Sequence, residues 1–235
     1  MTEFLQSTLV FVAYIIVLAS LALPIRLFTK IPDEAFRKLL HFILLGAYVP
    51  LLFAFAVWWH AVLLITLLIG VLFPTLYALG RVKGFSSFVN ERCCGEFKSS
   101  MVLALLVMAS STAVGWGLFG DRYLVLASVY AWGVGDGFAA LVGKRYGRHK
   151  IGWRFVDNKK SYEGSFAMLA TSAVAVFTVL IIRGGVSVLG CAFIALAAAT
   201  ASTFMELCTR GGMDTVTCPT VSMLVILPLV NLIGG

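Results

Sequence analysis

Charge is scarce in this chain. Of 235 residues only 12% are Asp, Glu, Lys or Arg, about half the share of an ordinary globular domain. That excludes a soluble domain, a disordered chain and a nucleic-acid module. Cysteine is thin where it would matter. Five are present, an odd number, and none stands in a Cys-x-x-Cys or metal-ligand spacing, so there is no disulfide framework to read. Cys93 and Cys94 are adjacent, and Cys191, Cys208 and Cys218 lie in or beside apolar runs, as buried free thiols do. No Walker A pattern, no protein-kinase signature, no repeat of fixed period and no low-complexity linker is present. The first residues carry no basic stretch and no small-residue cleavage site, so the first apolar run is expected to be a retained anchor.

What fills the chain is apolar. Hydrophobic residues make up 60% of it, and the mean hydropathy is +0.99. A helix needs about 20 mostly apolar residues to cross the hydrocarbon core. Phe4 to Ile25 supplies one span, and Leu39 to Gly80, 42 positions without a charged residue, supplies two. Their break is expected near Val57-Trp58-Trp59-His60, where paired indoles suit an interface. Ser99–Gly120, Tyr123–Gly143, Ser165–Ile182, Gly184–Met205 and Val216–Ile233 complete eight. The expectation is an all-α integral membrane protein, one polytopic domain over 1–235 with no separate soluble domain.

With the spans placed, the cations fall on two sides. One side receives Arg26, Lys30, Arg37, Lys38, Arg81, Lys83, Arg92, Lys98, Lys144, Arg145, Arg148, Lys150, Arg154, Lys159, Lys160 and Arg210; the other receives Arg122 and Arg183. Sixteen against two makes the crowded side cytoplasmic, with both termini on the other side.

Three acids interrupt this pattern. An ionisable residue inside an apolar segment costs roughly 2.5–3.5 kcal/mol and marks a functional position. Asp136 lies eight residues before Lys144, about 12 Å inside the helix end. Gly133, Gly135 and Gly137 surround it, and each lowers helix propensity by about 1 kcal/mol, so a broken or widened helix lining a wet cavity is expected there. Glu206 closes the seventh span and Asp214 opens the eighth, both towards the cytoplasmic side. Acids at span ends also pair with loop cations and anchor their helices, which is the plainer reading of Glu206 and Asp214.

The long loop, 144–164, lies on that same side. Seven cations and two acids occupy it. Basic juxtamembrane stretches commonly meet anionic headgroups. Here Gly143, Gly147 and Gly164 would in addition let backbone approach a ligand closely. Carboxylates that hold Mg²⁺ beside lysines that bind phosphate are what a nucleoside triphosphate requires. Arg37-Lys38-x-x-His41 opens the second span, and Arg37 and His41, four apart, share a face. Arg37 suits a phosphate fork and His41 a base or hydrogen-bond donor, although snorkelling anchors and a packed histidine explain them as well. His60 and His149 have no comparable setting. Glu91 and Glu96 are secondary candidates that balance nearby cations or cap the fourth span.

Together these blocks resemble the CTP-dependent lipid-alcohol kinases, the dolichol, phytol and yeast-type diacylglycerol kinases. The matching stretches are Arg37-Lys38-x-x-His41, Gly135-Asp136-Gly137-Phe-Ala139, Gly143-x-x-x-Gly147 and Lys160-Ser161-Tyr-Glu163-Gly164, then Glu206, Asp214 and Pro219, spanning about residues 37 to 220. Asp214-Thr215 departs from the Asp-Asn of that pattern. CDP-diacylglycerol synthases share a similar middle section, but their ending supplies a second acid that Asp214-Thr215-Val-Thr217 does not.

The resemblance implies phosphoryl transfer from CTP to a membrane lipid alcohol at the cytoplasmic face. Asp136, Glu206 and Asp214 would hold Mg²⁺, and Arg37, Lys38, Lys144, Lys150, Lys159 and Lys160 would face the triphosphate. Ser161 would donate to it, and Gly135, Gly137, Gly143, Gly147, Glu163 and Gly164 would line the nucleotide. His41 or one of the carboxylates would take the hydroxyl proton. A phosphatidate cytidylyltransferase is the nearest alternative. An ion-coupled transporter, with its acids at broken helices, is the alternative of another class.

Overall fold

In the computed structural model, residues 2–29, 31–81, 96–152, 156, 160–209 and 212–234 are described. They form eight helices: α1 (Thr2–Phe28), α2 (Asp33–Phe53), α3 (Trp58–Leu79), α4 (Glu96–Ser111), α5 (Arg122–Tyr146), α6 (Tyr162–Arg183), α7 (Val188–Cys208) and α8 (Asp214–Ile233). Helix α4 continues as a π-helix over Thr112–Leu118. All eight are long and apolar enough to cross a membrane, α4 together with its π-helical continuation, as a multi-pass membrane protein requires. The break between α2 and α3 falls at 54–57, slightly before the expected indole pair. Pro50 removes a backbone donor from the last turn of α2, and the two tryptophans open α3 instead of linking the helices.

The chain divides into two compact units, Met1–Gly117 and Leu118–Gly235. In the first, α1 packs on α2 and α3 on α4. The Ser7 hydroxyl donates to the Ala54 carbonyl at 2.6 Å. Tyr48, fully buried, sets its hydroxyl 3.0 Å from the Met108 carbonyl and 2.8 Å from Thr112 Oγ1, where the helix widens into the π register. Beyond it the Trp58 ring lies so close to Gly117 that a Cβ there would sit 3.1 Å from the indole.

In the second unit α5, α6, α7 and α8 form a ring in which each packs on the next and α8 closes on α5. Between helices in lipid there is little hydrophobic drive, so association rests on close packing of small residues. The buried face of α7 accordingly reads Cys191, Ile194, Ala195, Ala198, Ala199, Ser202 and Thr203. Its large residues Leu189, Phe193, Leu196 and Phe204 face outward, the inverse of a soluble bundle.

Helix α5 is continuous through Asp136, so the expected break is absent. Gly133, Gly135 and Gly137 are buried within it, and at Gly135 the reason is α6. A Cβ at Gly135 would collide with Ser172 Oγ and stand 2.9 Å from Met168 Cγ. Ser172 donates across the same contact to the Ala131 carbonyl at 2.5 Å. Ala131, Gly135, Ala139 and Gly143 recur every fourth residue and so form one oblique ridge of small residues along the helix. Close packing of α6 against this ridge outweighs the loss of helix propensity.

Ends are set by side chains. Asp121 caps α5 by accepting from the amides of Tyr123 (2.9 Å) and Leu124 (3.2 Å). Its other oxygen takes the Arg183 guanidinium at 2.6 Å. Ser161 and Ser187 cap α6 and α7, and α6 stops at Gly184, whose φ of 73° a side chain would resist.

Candidate functional site

Helices α5 and α7 run towards the end of the bundle from which α6 and α8 start. At that end residues 147–152 and 160–161 form the two limbs of a strap. Its two limbs pair antiparallel at Lys150 and Ser161, with the Ile151 amide on the Lys160 carbonyl and the Tyr162 amide on the His149 carbonyl, both 3.1 Å. The loop expected over 144–164 is therefore shorter. Lys144 and Arg145 lie in the last turn of α5, while Glu163 and Gly164 lie in the first turn of α6.

Lys160 reaches from the strap to the end of α7. Its ammonium lies 2.9 Å from Glu206 Oε1, donates to the Glu206 carbonyl and stands 3.3 Å from the Thr209 carbonyl. The Glu206 carbonyl also takes the Thr209 amide at 3.3 Å, and a cation suits the negative end of the α7 dipole. The side chains are only 18% and 13% exposed, so water screens the pair weakly. The fields of Asp136 and Asp214 reach the same Glu206 carboxylate. Asp214 sits in the first turn of α8, where a negative charge complements the helix dipole. The buried Cys218 thiol, 3.5 Å from the Ser202 carbonyl, lies in the field of all three acids, Asp214 foremost. Thr209 and Thr217 tie α7 to α8 through hydroxyls 3.1 Å apart.

One ammonium is thus paired with Glu206, on which carboxylates of two further helices act as like charges, and exposed Lys144, Arg145, Arg148 and Lys150 lie at the same end. Among the described residues no three of His, Cys, Asp and Glu stand close enough to hold a metal ion by themselves. The donor set is oxygen only. That suits Mg²⁺, which typically takes one or two carboxylates and completes its shell with water and phosphate oxygens.

Several residues expected to face a nucleotide have other partners. Ser161 is buried and its hydroxyl accepts from the Gly164 amide at 3.2 Å. Glu163 accepts from the Arg148 and His149 amides, both 3.2 Å, and lies 2.7 Å from His149 Nδ1. A Cβ at Gly164 would stand 3.0 Å from the Ala139 carbonyl and 3.3 Å from Gly143 Cα, and one at Gly147 would meet the Gly143 carbonyl. These glycines make room for protein. His149, singled out for nothing in the sequence, is the partner that reasoning missed, because it lies fourteen residues from Glu163.

Arg37, Lys38 and His41 belong to α2 in the first unit. Arg37 pairs with Glu34 at 2.5 Å, Lys38 is buried, and His41 meets Phe42 edge-on with centroids 6.0 Å apart. Lys159, Glu91, Arg210, Cys93 and Cys94 lie outside the described residues, as does the side chain of Glu96. Of the thiols described, Cys191 and Cys218 are buried as expected and Cys208 is exposed. Compared with family models, with curated proteins and with solved structures, the chain has no match.

Proposed function

We propose that this chain is a multi-pass membrane kinase that transfers the γ-phosphoryl group of CTP to the hydroxyl of a lipid alcohol of the polyprenol, diacylglycerol or phytol class, at the cytoplasmic face. The observation that carries the reading is the Lys160–Glu206 pair at the lysine- and arginine-rich end of the bundle, with Asp136 and Asp214 near enough to act on Glu206 as like charges. Phosphoryl transfer asks for positioning and charge stabilisation more than for covalent chemistry. A site that holds anions and cations side by side supplies both.

In this reading Lys144, Lys150 and Lys160 neutralise the triphosphate. One or two of Asp136, Glu206 and Asp214 would hold Mg²⁺, which would offset charge on the phosphoryl oxygens. Ser161 and Glu163 shape the strap. The lipid approaches from the side, its tail against the apolar outer faces and its hydroxyl at the depth of the carboxylates. The choice of CTP rests on the resemblance of the Gly135–Ala139, Gly143–Gly147 and Lys160–Gly164 stretches to the lipid-alcohol kinases.

The test uses purified protein in vesicles with Mg²⁺, a panel of lipid alcohols and CTP labelled at either the α or the γ position. Label from the γ position in the lipid product supports the kinase. Lipid carrying the α label, with pyrophosphate released, replaces it with a cytidylyltransferase. Asp136→Asn is expected to lower turnover by about 100-fold or more while the protein still inserts and folds. Wild-type turnover in that variant would remove the metal-site assignment.

A further inference from the structure

We infer that Glu163 is a positioning residue, which clasps the Arg148–His149 corner of the strap and thereby holds Lys160 on Glu206. Calling this effect catalytic rests on the kinase reading; the clasp itself does not. Three donors converge on one oxygen of the carboxylate. Oε1 takes the Arg148 amide, the His149 amide and His149 Nδ1, and Oε2 lies 3.4 Å from the His149 amide. An ionised carboxylate offers about four lone-pair sites, two on each oxygen, so Oε1 is fully committed to the strap. A bare carboxylate facing a triphosphate would in any case repel it.

The connection to Lys160 runs through backbone. Glu163 fixes His149, whose carbonyl takes the Tyr162 amide, and two residues on the Ile151 amide binds the Lys160 carbonyl. With the limbs paired at Lys150 and Ser161, the position of the Lys160 main chain is set and its ammonium reaches Glu206 and Thr209. The His149 ring is 79% exposed. Packing does not hold it there, so the hydrogen bond to Glu163 is its contribution. Without the clasp the strap opens and Lys160 loses its place among the carboxylates.

The experiment compares wild type, Glu163→Gln, His149→Ala and His149→Asn as full-length protein in detergent, by trypsin cleavage at Arg148 and Lys150 and by CTP turnover. Losing a charge-assisted hydrogen bond should speed cleavage about tenfold in Glu163→Gln and His149→Ala, with a smaller fall in the thermal midpoint than Lys160→Met gives. Both should lose turnover in parallel with protection. His149→Asn, whose amide can donate to Glu163, should recover both. Lost turnover with full protection in Glu163→Gln would mean that the carboxylate touches substrate, and a silent His149→Ala would mean that there is no clasp. Either result overturns the inference. If wild type turns over no CTP, the kinase reading fails while the cleavage data still decide on the clasp.

Discussion

Lys160 Nζ and Glu206 Oε1 lie 2.9 Å apart at the junction of the strap and α7, and the two partners are not equivalent. Asp136 and Asp214 act on Glu206 as like charges, while Lys160 also satisfies the Glu206 and Thr209 carbonyls. Removing the cation leaves carboxylates without their counter-charge; removing Glu206 relieves repulsion as it breaks the pair. Lys160→Met should therefore destabilise by about 2–4 kcal/mol and Glu206→Gln by about 1 kcal/mol or less. The double variant should lie closer to wild type than the sum of the singles. Thermal midpoints in detergent check this, and equal losses in the two single variants would show that the other acids do not share the site.

Asp121 does two jobs at the opposite end of the bundle, capping α5 and binding Arg183 at 2.6 Å. Asp121→Ala should cost about 2 kcal/mol, roughly half from the cap and half from the charge-assisted hydrogen bond. Asp121→Asn keeps an acceptor for the amides and should cost only the second part. The same thermal assay separates them, with Asp121→Asn falling between wild type and Asp121→Ala.

Gly164 and Gly70 should respond oppositely to alanine. A Cβ at Gly164 meets backbone, the Ala139 carbonyl at 3.0 Å and Gly143 Cα at 3.3 Å, whereas one at Gly70 in α3 meets nothing within 4 Å. Backbone cannot rotate aside, so Gly164→Ala should destabilise by about 1–3 kcal/mol. Gly70→Ala carries only the helix-propensity term, a gain of up to about 1 kcal/mol. A neutral Gly164→Ala would mean that α5 and α6 are not in close contact at that level.

Local signals made much of this legible in advance. Apolar length alone marks eight helices, and the spacing of acids and lysines brings Asp136, Glu206, Asp214 and Lys160 under consideration without any three-dimensional information. The glycines misled. Gly133, Gly135 and Gly137 lower helix propensity, but at Gly135 the side chain it lacks is replaced by Ser172 and Met168 of α6, a compensation that no local pattern contains. Ser161 and Glu163 likewise have partners that no local pattern contains. A hydroxyl and a carboxylate beside lysines suggest a ligand, and in the structure they bind the chain itself, Gly164 one turn on and His149 fourteen residues back. Partners so far apart become visible only once the strap has folded over.

The same charges carry an expectation of sidedness. In the second unit Lys144, Arg145, Arg148, Lys150 and Lys160 gather at the end that carries Glu206, whereas at the other end Arg183 is paired with Asp121. Lysine and arginine near span ends are retained on the cytoplasmic side, the side that holds nucleoside triphosphates. A kinase of this design works only if both criteria choose the same end. With the native cysteines replaced, Arg148→Cys and Phe119→Cys place single thiols at exposed positions on the two ends. A membrane-impermeant maleimide applied to intact cells should label position 119 directly and position 148 only after permeabilisation. The reverse pattern would put the lysine-rich end outside, away from its nucleotide, and would count against the kinase reading however well the carboxylates are arranged.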